Sequence, residues 1–214
     1  KIAGGPNMPI FLDVVKNGED LLNVNMLHCY RFAMQIPMSI DDRMQYVEAF
    51  EPRVILDYPL YRGLLYIDQK TLSITRAEFQ LDMSDEEKSA RFILRKKPLG
   101  LRFKLQEVSY LVTYRYQDGK SYLNYLRNTI RFKCDWKKRL FSSTFTTSTE
   151  MVMVDRNDRP EERIRMKDAF KQREVFYDVV EEYWNEDFWK DYNIIEPTES
   201  LESAVKKLKK QNQK

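Results

Sequence analysis

Val108-Ser109-Tyr110-Leu111-Val112-Thr113-Tyr114-Arg115-Tyr116-Gln117-Asp118-Gly119-Lys120-Ser121-Tyr122 decides the fold of this chain. Val108, Tyr110, Val112, Tyr114 and Tyr116 fall on every second residue and alternate with Ser109, Leu111, Thr113 and Arg115. A period of two places the first set on one side of a β-strand and the second set on the other. Asp118-Gly119 follows at once, and this pair accepts the positive φ angles that a two-residue hairpin turn demands. The return over 122–133 carries Tyr122, Leu126, Ile130 and Phe132 in one phase. A third long run, 141–154, comes after a charged turn at 135–139. Its Thr144, Thr146, Thr147 and Thr149 suit a strand with a wet face. Strands of this length twist and coil.

Working outward, the same period appears upstream. Tyr30, Phe32, Met34 and Ile36 share a face, Pro37 ends the run, and Asp41-Asp42 turns the chain toward Met44, Tyr46 and Phe50. A second pair follows, 60–67 and 72–81, joined at Asp68-Gln69-Lys70-Thr71. Along 72–81 the apolar phase slips, from Leu72 and Ile74 to Ala77, Phe79 and Leu81. A slip of one residue is the mark of a β-bulge, which bends a sheet. Ser84 and Glu87 have capping-box spacing and open a helix predicted over 84–97. Acids lie in its first turn, and Arg95, Lys96 and Lys97 lie near its end. A last helix is predicted after Thr198, with Leu201, Val205 and Leu208 on one side. The expected fold is therefore α+β and mainly β: a long curved antiparallel sheet, half-barrel-like, with one helix after the fourth strand and a C-terminal helix. Residues 1–25 read as a lead-in that packs on the sheet or on a missing N-terminal domain. Residues 26–155 hold the sheet, and 156–214 form an aromatic and helical appendage of the same domain.

Composition narrows the function. The chain has 214 residues, a formal charge of +3, one histidine, two cysteines and six glycines. Acids and bases are mixed along it, so nucleic acid is not an expected partner. The basic clusters Arg95-Lys96-Lys97 and Lys137-Lys138-Arg139 read as solvated turns and strand ends. No run of apolar residues is long enough for a membrane helix. The chain opens at Lys1-Ile2-Ala3 without a methionine and reads as a fragment or a processed product. Cys29 and Cys134 read as two separate thiols in strand-like runs.

Catalytic signatures are sparse. His28 and Cys29 sit in a strand-like run, where neighbours face opposite ways and do not converge on one metal. No glycine triple matches a phosphate or dinucleotide loop, and no nucleophile elbow or Cys-x-x-Cys is present. The expectation is no enzyme, no catalytic residue, no cofactor and no metal. Carboxylates are plentiful, but Asp85, Glu86 and Glu87 are explained by capping. Glu181, Glu182 and Glu186 read as the solvated side of an aromatic segment. A carboxylate-dependent hydrolase is the third-ranked reading. The candidates for lining a ligand groove are aromatic and apolar: Tyr110, Tyr114, Tyr122, Leu126, Trp184 and Trp189.

Four strings carry a family likeness. They are Gly4-Gly5-Pro6-Asn7-Met8-Pro9, Tyr61-Arg62-Gly63-Leu64-Leu65-Tyr66-Ile67-Asp68, Asp118-Gly119-Lys120 with the Tyr-rich strand after it, and Phe188-Trp189-Lys190-Asp191-Tyr192-Asn193-Ile194-Ile195-Glu196-Pro197. Together they resemble the C-terminal part of the carboxypeptidase-regulatory-like-domain proteins of Bacteroidetes, exported envelope proteins of unassigned role. The resemblance implies a periplasmic or outer-membrane-associated location and an N-terminal domain that this chain lacks. The order of elements is also similar to lipoprotein-carrier half-barrels, a likeness of fold alone. The function expected is a non-catalytic envelope accessory domain that binds a hydrophobic ligand, lipoprotein or peptide in a groove of the sheet. The alternative is a purely structural domain that docks on a partner protein.

Overall fold

In the computed structural model, described residues are 11–17, 23–137 and 141–154, with 156, 165, 167, 168, 171 and 176–183. The strands are β1 (Tyr30–Met34), β2 (Met38–Ile40), β3 (Arg43–Pro52), β4 (Tyr61–Asp68), β5 (Ile74–Leu81), β6 (Leu101–Gln117), β7 (Lys120–Trp136) and β8 (Ser143–Val152). They form one open antiparallel sheet in the order β1-β3-β4-β5-β6-β7-β8, with β2 also paired to β3. Helix α1 (Glu86–Ile93) lies between β5 and β6, and a 3-10 turn, Val24–Cys29, precedes β1. The mainly-β antiparallel fold read from the sequence is the fold observed.

Local chemistry explains the path. Asp118 and Gly119 both have positive φ, 51° and 76°, as the two-residue turn between the 17-residue strands β6 and β7 requires. Asp41 and Asp42 do the same at 49° and 59°. They fold Met38–Ile40 back on β3 as a short strand that the sequence reading did not separate. The helix consequently follows the fifth strand instead of the fourth. The predicted bulge is present: Tyr66 pairs with Arg76 but Ile67 with Ile74, which leaves Thr75 as the extra residue. Its hydroxyl donates to Gln45 Oε1 at 2.8 Å.

Helix α1 differs from its prediction at both ends. Asp85, not Ser84, is the cap, and its carboxylate accepts the Lys88 amide at 2.9 Å. The Ser84 hydroxyl is turned aside to the Asp82 carboxylate. The helix stops at Ile93 because Leu94 takes up extended backbone, so Arg95, Lys96 and Lys97 lie beyond it. Pro98 disfavours helical geometry at Lys97, the predicted end of the helix.

One face of the sheet is packed. Leu81, Leu105, Val108, Val112, Leu126 and Ile130 are at most 4% exposed, and Ile93 of α1, Cys29, Leu60, Leu12 and Val14 join the same cluster over them. Each such aliphatic side chain contributes about 1.5–3 kcal/mol by burial. The lead-in is tied down at Asp13, which accepts the Tyr114 hydroxyl at 3.1 Å.

By contact clustering the chain divides into two units, Lys1–Phe176 and Tyr177–Lys214. At the boundary, the helical turn Phe176–Val179 runs into a 3-10 turn, Val180–Tyr183. The predicted C-terminal helix lies outside the described residues. No helix among the described residues is long and apolar enough to cross a membrane.

Candidate functional site

The face opposite the packed one carries a groove of about 920 Å³ that crosses the strands from β1 to β7. It is built by the residues out of phase with the core. Antiparallel register sets Ala33 beside Ala49, Ala49 beside Leu64, Leu64 beside Glu78, Glu78 beside Leu111, and Leu111 beside Arg127. The next row runs Arg62, Gln80, Ser109 and Thr129. Ala49, Leu64 and Leu111 thus make a narrow half-buried floor, and charged side chains stand around it.

Those charges are mostly paired. Arg62 meets Asp82 at 2.6 Å, Arg31 meets Glu51 at 3.5 Å, and Arg76 is paired with Glu78. Arg76 also lies 5.6 Å from the centre of the Tyr66 ring. Burial, then the Glu78 charge, push the Tyr66 hydroxyl above its ordinary pKa, with Arg76 opposing. Glu107 accepts the Ser109 hydroxyl at 2.8 Å. Arg127 is exposed and forms no ion pair among the described residues.

Gly63 also lines the groove. A Cβ on Gly63 would collide with the Glu78 carbonyl oxygen and come within 2.6 Å of Phe79 Cα. Only a residue without a side chain allows β4 and β5 to approach this closely.

The groove candidates read from the sequence fall elsewhere. Leu126 is fully buried, and Tyr114 is held against Asp13 in the core. Burial drives the Tyr114 hydroxyl far above its ordinary pKa, and the Asp13 charge adds to the shift. Tyr110 borders the groove only as floor, since its ring is 7% exposed and stacks on Phe79 at 5.0 Å. Desolvation raises its hydroxyl strongly as well. Tyr122 does not share the phase of Leu126: Asn124 is an extra residue in β7, which places Leu123 opposite Tyr114 and Tyr122 opposite Arg115. The Arg156 guanidinium lies over the Tyr122 ring at 3.4 Å. Trp184 and Trp189 lie outside the described residues. Between the sheet and α1, Leu81, Ile93, Leu105 and Val108 pack in one buried cluster.

His28 and Cys29 also differ from expectation. They belong to a 3-10 turn, not a strand, and Cys29 Sγ lies 3.4 Å from His28 Nε2. Both cysteines are free thiols, Cys29 buried and Cys134 half-buried, with burial raising the Cys134 thiol. Among the described residues no three His, Cys, Asp or Glu side chains are grouped to hold a metal ion.

The signal for the groove was present in the sequence as the second phase of each strand: Arg62 and Leu64, Glu78 and Gln80, Ser109 and Leu111, Arg127 and Thr129. Aromatic residues drew attention to the other phase. Comparison with family models, with curated proteins and with solved structures found no match to this chain.

Proposed function

We propose that this chain is a non-catalytic accessory domain of the bacterial envelope that binds an extended polypeptide in the groove on the polar face of its sheet. The observation that carries the reading is the construction of the groove: a floor of Ala49, Leu64 and Leu111 between paired charges, with Arg127, opposite Glu150 of β8, exposed at one end. An extended peptide laid there puts alternate side chains on the apolar floor and offers polar groups to the walls. A lipid chain would strip water from Arg62, Arg76 and Glu78 without replacing it, which is costly. Peptide is therefore preferred over lipid among the hydrophobic, lipoprotein and peptide ligands considered. The non-catalytic part of the reading rests on how the acids are engaged: Glu51 and Glu78 by arginines, Asp82 by Arg62 and Ser84, Glu107 by Ser109. The envelope setting is supported by the family resemblance alone.

Displayed random peptides selected on the immobilised protein test this. The selected peptides should carry an acidic residue near apolar ones, and Leu64→Asp and Arg127→Glu should each weaken their binding at least tenfold. Peptides that bind both variants as well as the parent would refute the groove as the site.

A further inference from the structure

The two edges of the sheet are built differently. On the first, Pro37 separates β1 from β2, and Arg31 and Glu51 place charges beside β1. Such interruptions and charges are how a monomeric sheet guards an edge against pairing. The second edge, β8, is Ser143-Thr144-Phe145-Thr146-Thr147-Ser148-Thr149-Glu150-Met151-Val152. It contains no proline and a single charge, and its pairing with β7 runs without a bulge. All but Met151 of its ten residues are exposed.

The backbone of β8 has a definite phase. The Met153 amide donates to the Asn124 carbonyl at 2.9 Å. Carried along the unbroken register, this directs the odd-numbered residues of β8 toward β7 and leaves the amides and carbonyls of Thr144, Thr146, Ser148 and Glu150 pointing outward. A row of aromatic rings leads to the same edge. Phe103 stacks on Phe132 at 5.2 Å and Phe132 on Phe145 at 5.6 Å, and there the row ends with Phe145 49% exposed.

We propose that β8 is a self-association edge, pairing antiparallel with β8 of a second copy of this chain about a two-fold axis at Phe145. In that register Phe145 faces its own copy as a non-hydrogen-bonded pair, the type in which side chains approach most closely. The ring row then continues through the axis into the partner. Thr144 meets Thr146 of the other copy in both directions, and each of these residues already presents its backbone groups outward. A two-fold edge contact is closed, so association stops at a dimer. The polar groove lies on the other strands and stays open.

Light scattering on the eluting full chain gives the test, together with amide exchange. The expected mass is twice the 25.8 kDa of one chain. The amides of Thr144 and Thr146 should be protected at high protein concentration and exchange freely on dilution. Thr146→Lys places a charge at the contact without removing a bond to β7, and should give a monomer with an unchanged circular dichroism spectrum. Phe145→Ala should weaken dimerisation at least tenfold. If Thr146→Lys does not fold, Thr144→Lys serves the same purpose, and the exchange measurement needs no variant. A parent chain that stays monomeric at all concentrations, or a dimer that survives a folded lysine variant, overturns the proposal.

Discussion

The hydroxyl of Tyr114 donates to Oδ1 of Asp13 at 3.1 Å across 101 residues of sequence, and both side chains are buried. The same Asp13 oxygen accepts the amides of Val15 and Lys16 at 3.2 Å. One carboxylate therefore shapes the lead-in segment and anchors it to the longest hairpin. Removing the hydroxyl leaves Asp13 with its two local amides, so Tyr114→Phe should destabilise the fold by about 1.5–3 kcal/mol, the range for a hydrogen bond to a charged group. Urea unfolding followed by circular dichroism measures this, and a loss under half that range would show the contact to be dispensable.

Tyr110 and Tyr114 also set a limit at alkaline pH. Burial raises both hydroxyls, with Asp13 adding to the shift at Tyr114. Their folded pKa values lie above the unfolded value of about 10, so the unfolded chain releases these protons first. The stability they contribute is complete below that value and is lost progressively as pH rises from it toward the folded values. Phenolate absorbance should show these two tyrosines ionising together with unfolding, not before it.

Asp68 governs the acid side. Its side chain is 1% exposed, and burial alone would raise its carboxyl. The Thr71 amide at 2.8 Å, the Thr71 hydroxyl, Arg43 at 2.8 Å and the Lys70 amide outweigh burial and hold it at about 2. Because the folded value lies below the unfolded one, the stabilisation is present above the unfolded value of about 4 and is lost as pH falls toward 2, an effect of roughly 2–3 kcal/mol. Asp68→Asn should flatten the acid limb of a stability–pH curve, and an unchanged limb would disprove the assignment.

Gly63 and Gly100 make a matched pair. Gly63→Ala drives a methyl group into the Glu78 carbonyl and the Phe79 backbone, so β5 must move; a loss above about 3 kcal/mol is expected. Gly100, at φ +81°, has nothing near its missing Cβ, so Gly100→Ala carries only backbone strain of about 1 kcal/mol. Chemical denaturation of the two variants side by side distinguishes steric from conformational cost.

The cap of α1 can be assigned by substitution. Asp85→Ala should cost about 1 kcal/mol and Ser84→Ala clearly less, since Asp85 accepts the Lys88 amide while the Ser84 hydroxyl bonds to the Asp82 carboxylate and caps no helix amide. The reverse order would restore the capping box expected from spacing.

Much of this molecule can be read from local patterns. Alternation at Val108, Tyr110, Val112 and Tyr114 identifies both a strand and its core side, because the side-chain period of an extended chain is a property of the backbone alone. Asp118-Gly119 identifies the turn for the same reason, and the phase slip after Ile74 locates the bulge at Thr75. The helix cap was misplaced by one residue because Ser84 had a competing acceptor, Asp82, that spacing does not reveal. Tyr122 was assigned to the wrong phase because Asn124 inserts one residue, and nothing in 122–126 announces it.

The order of turn and strand, and the residues each strand buries, follow from chemistry that acts between near neighbours, so the amino-acid string was sufficient for them. Which face stays open, and hence that charged side chains and not tyrosines line the groove, depended on how α1, Leu60 and the Asp13 segment cover the aromatic side. That choice depends on contacts such as Asp13 with Tyr114, where burial rewards a meeting of residues far apart in the chain. No local period encodes such a meeting.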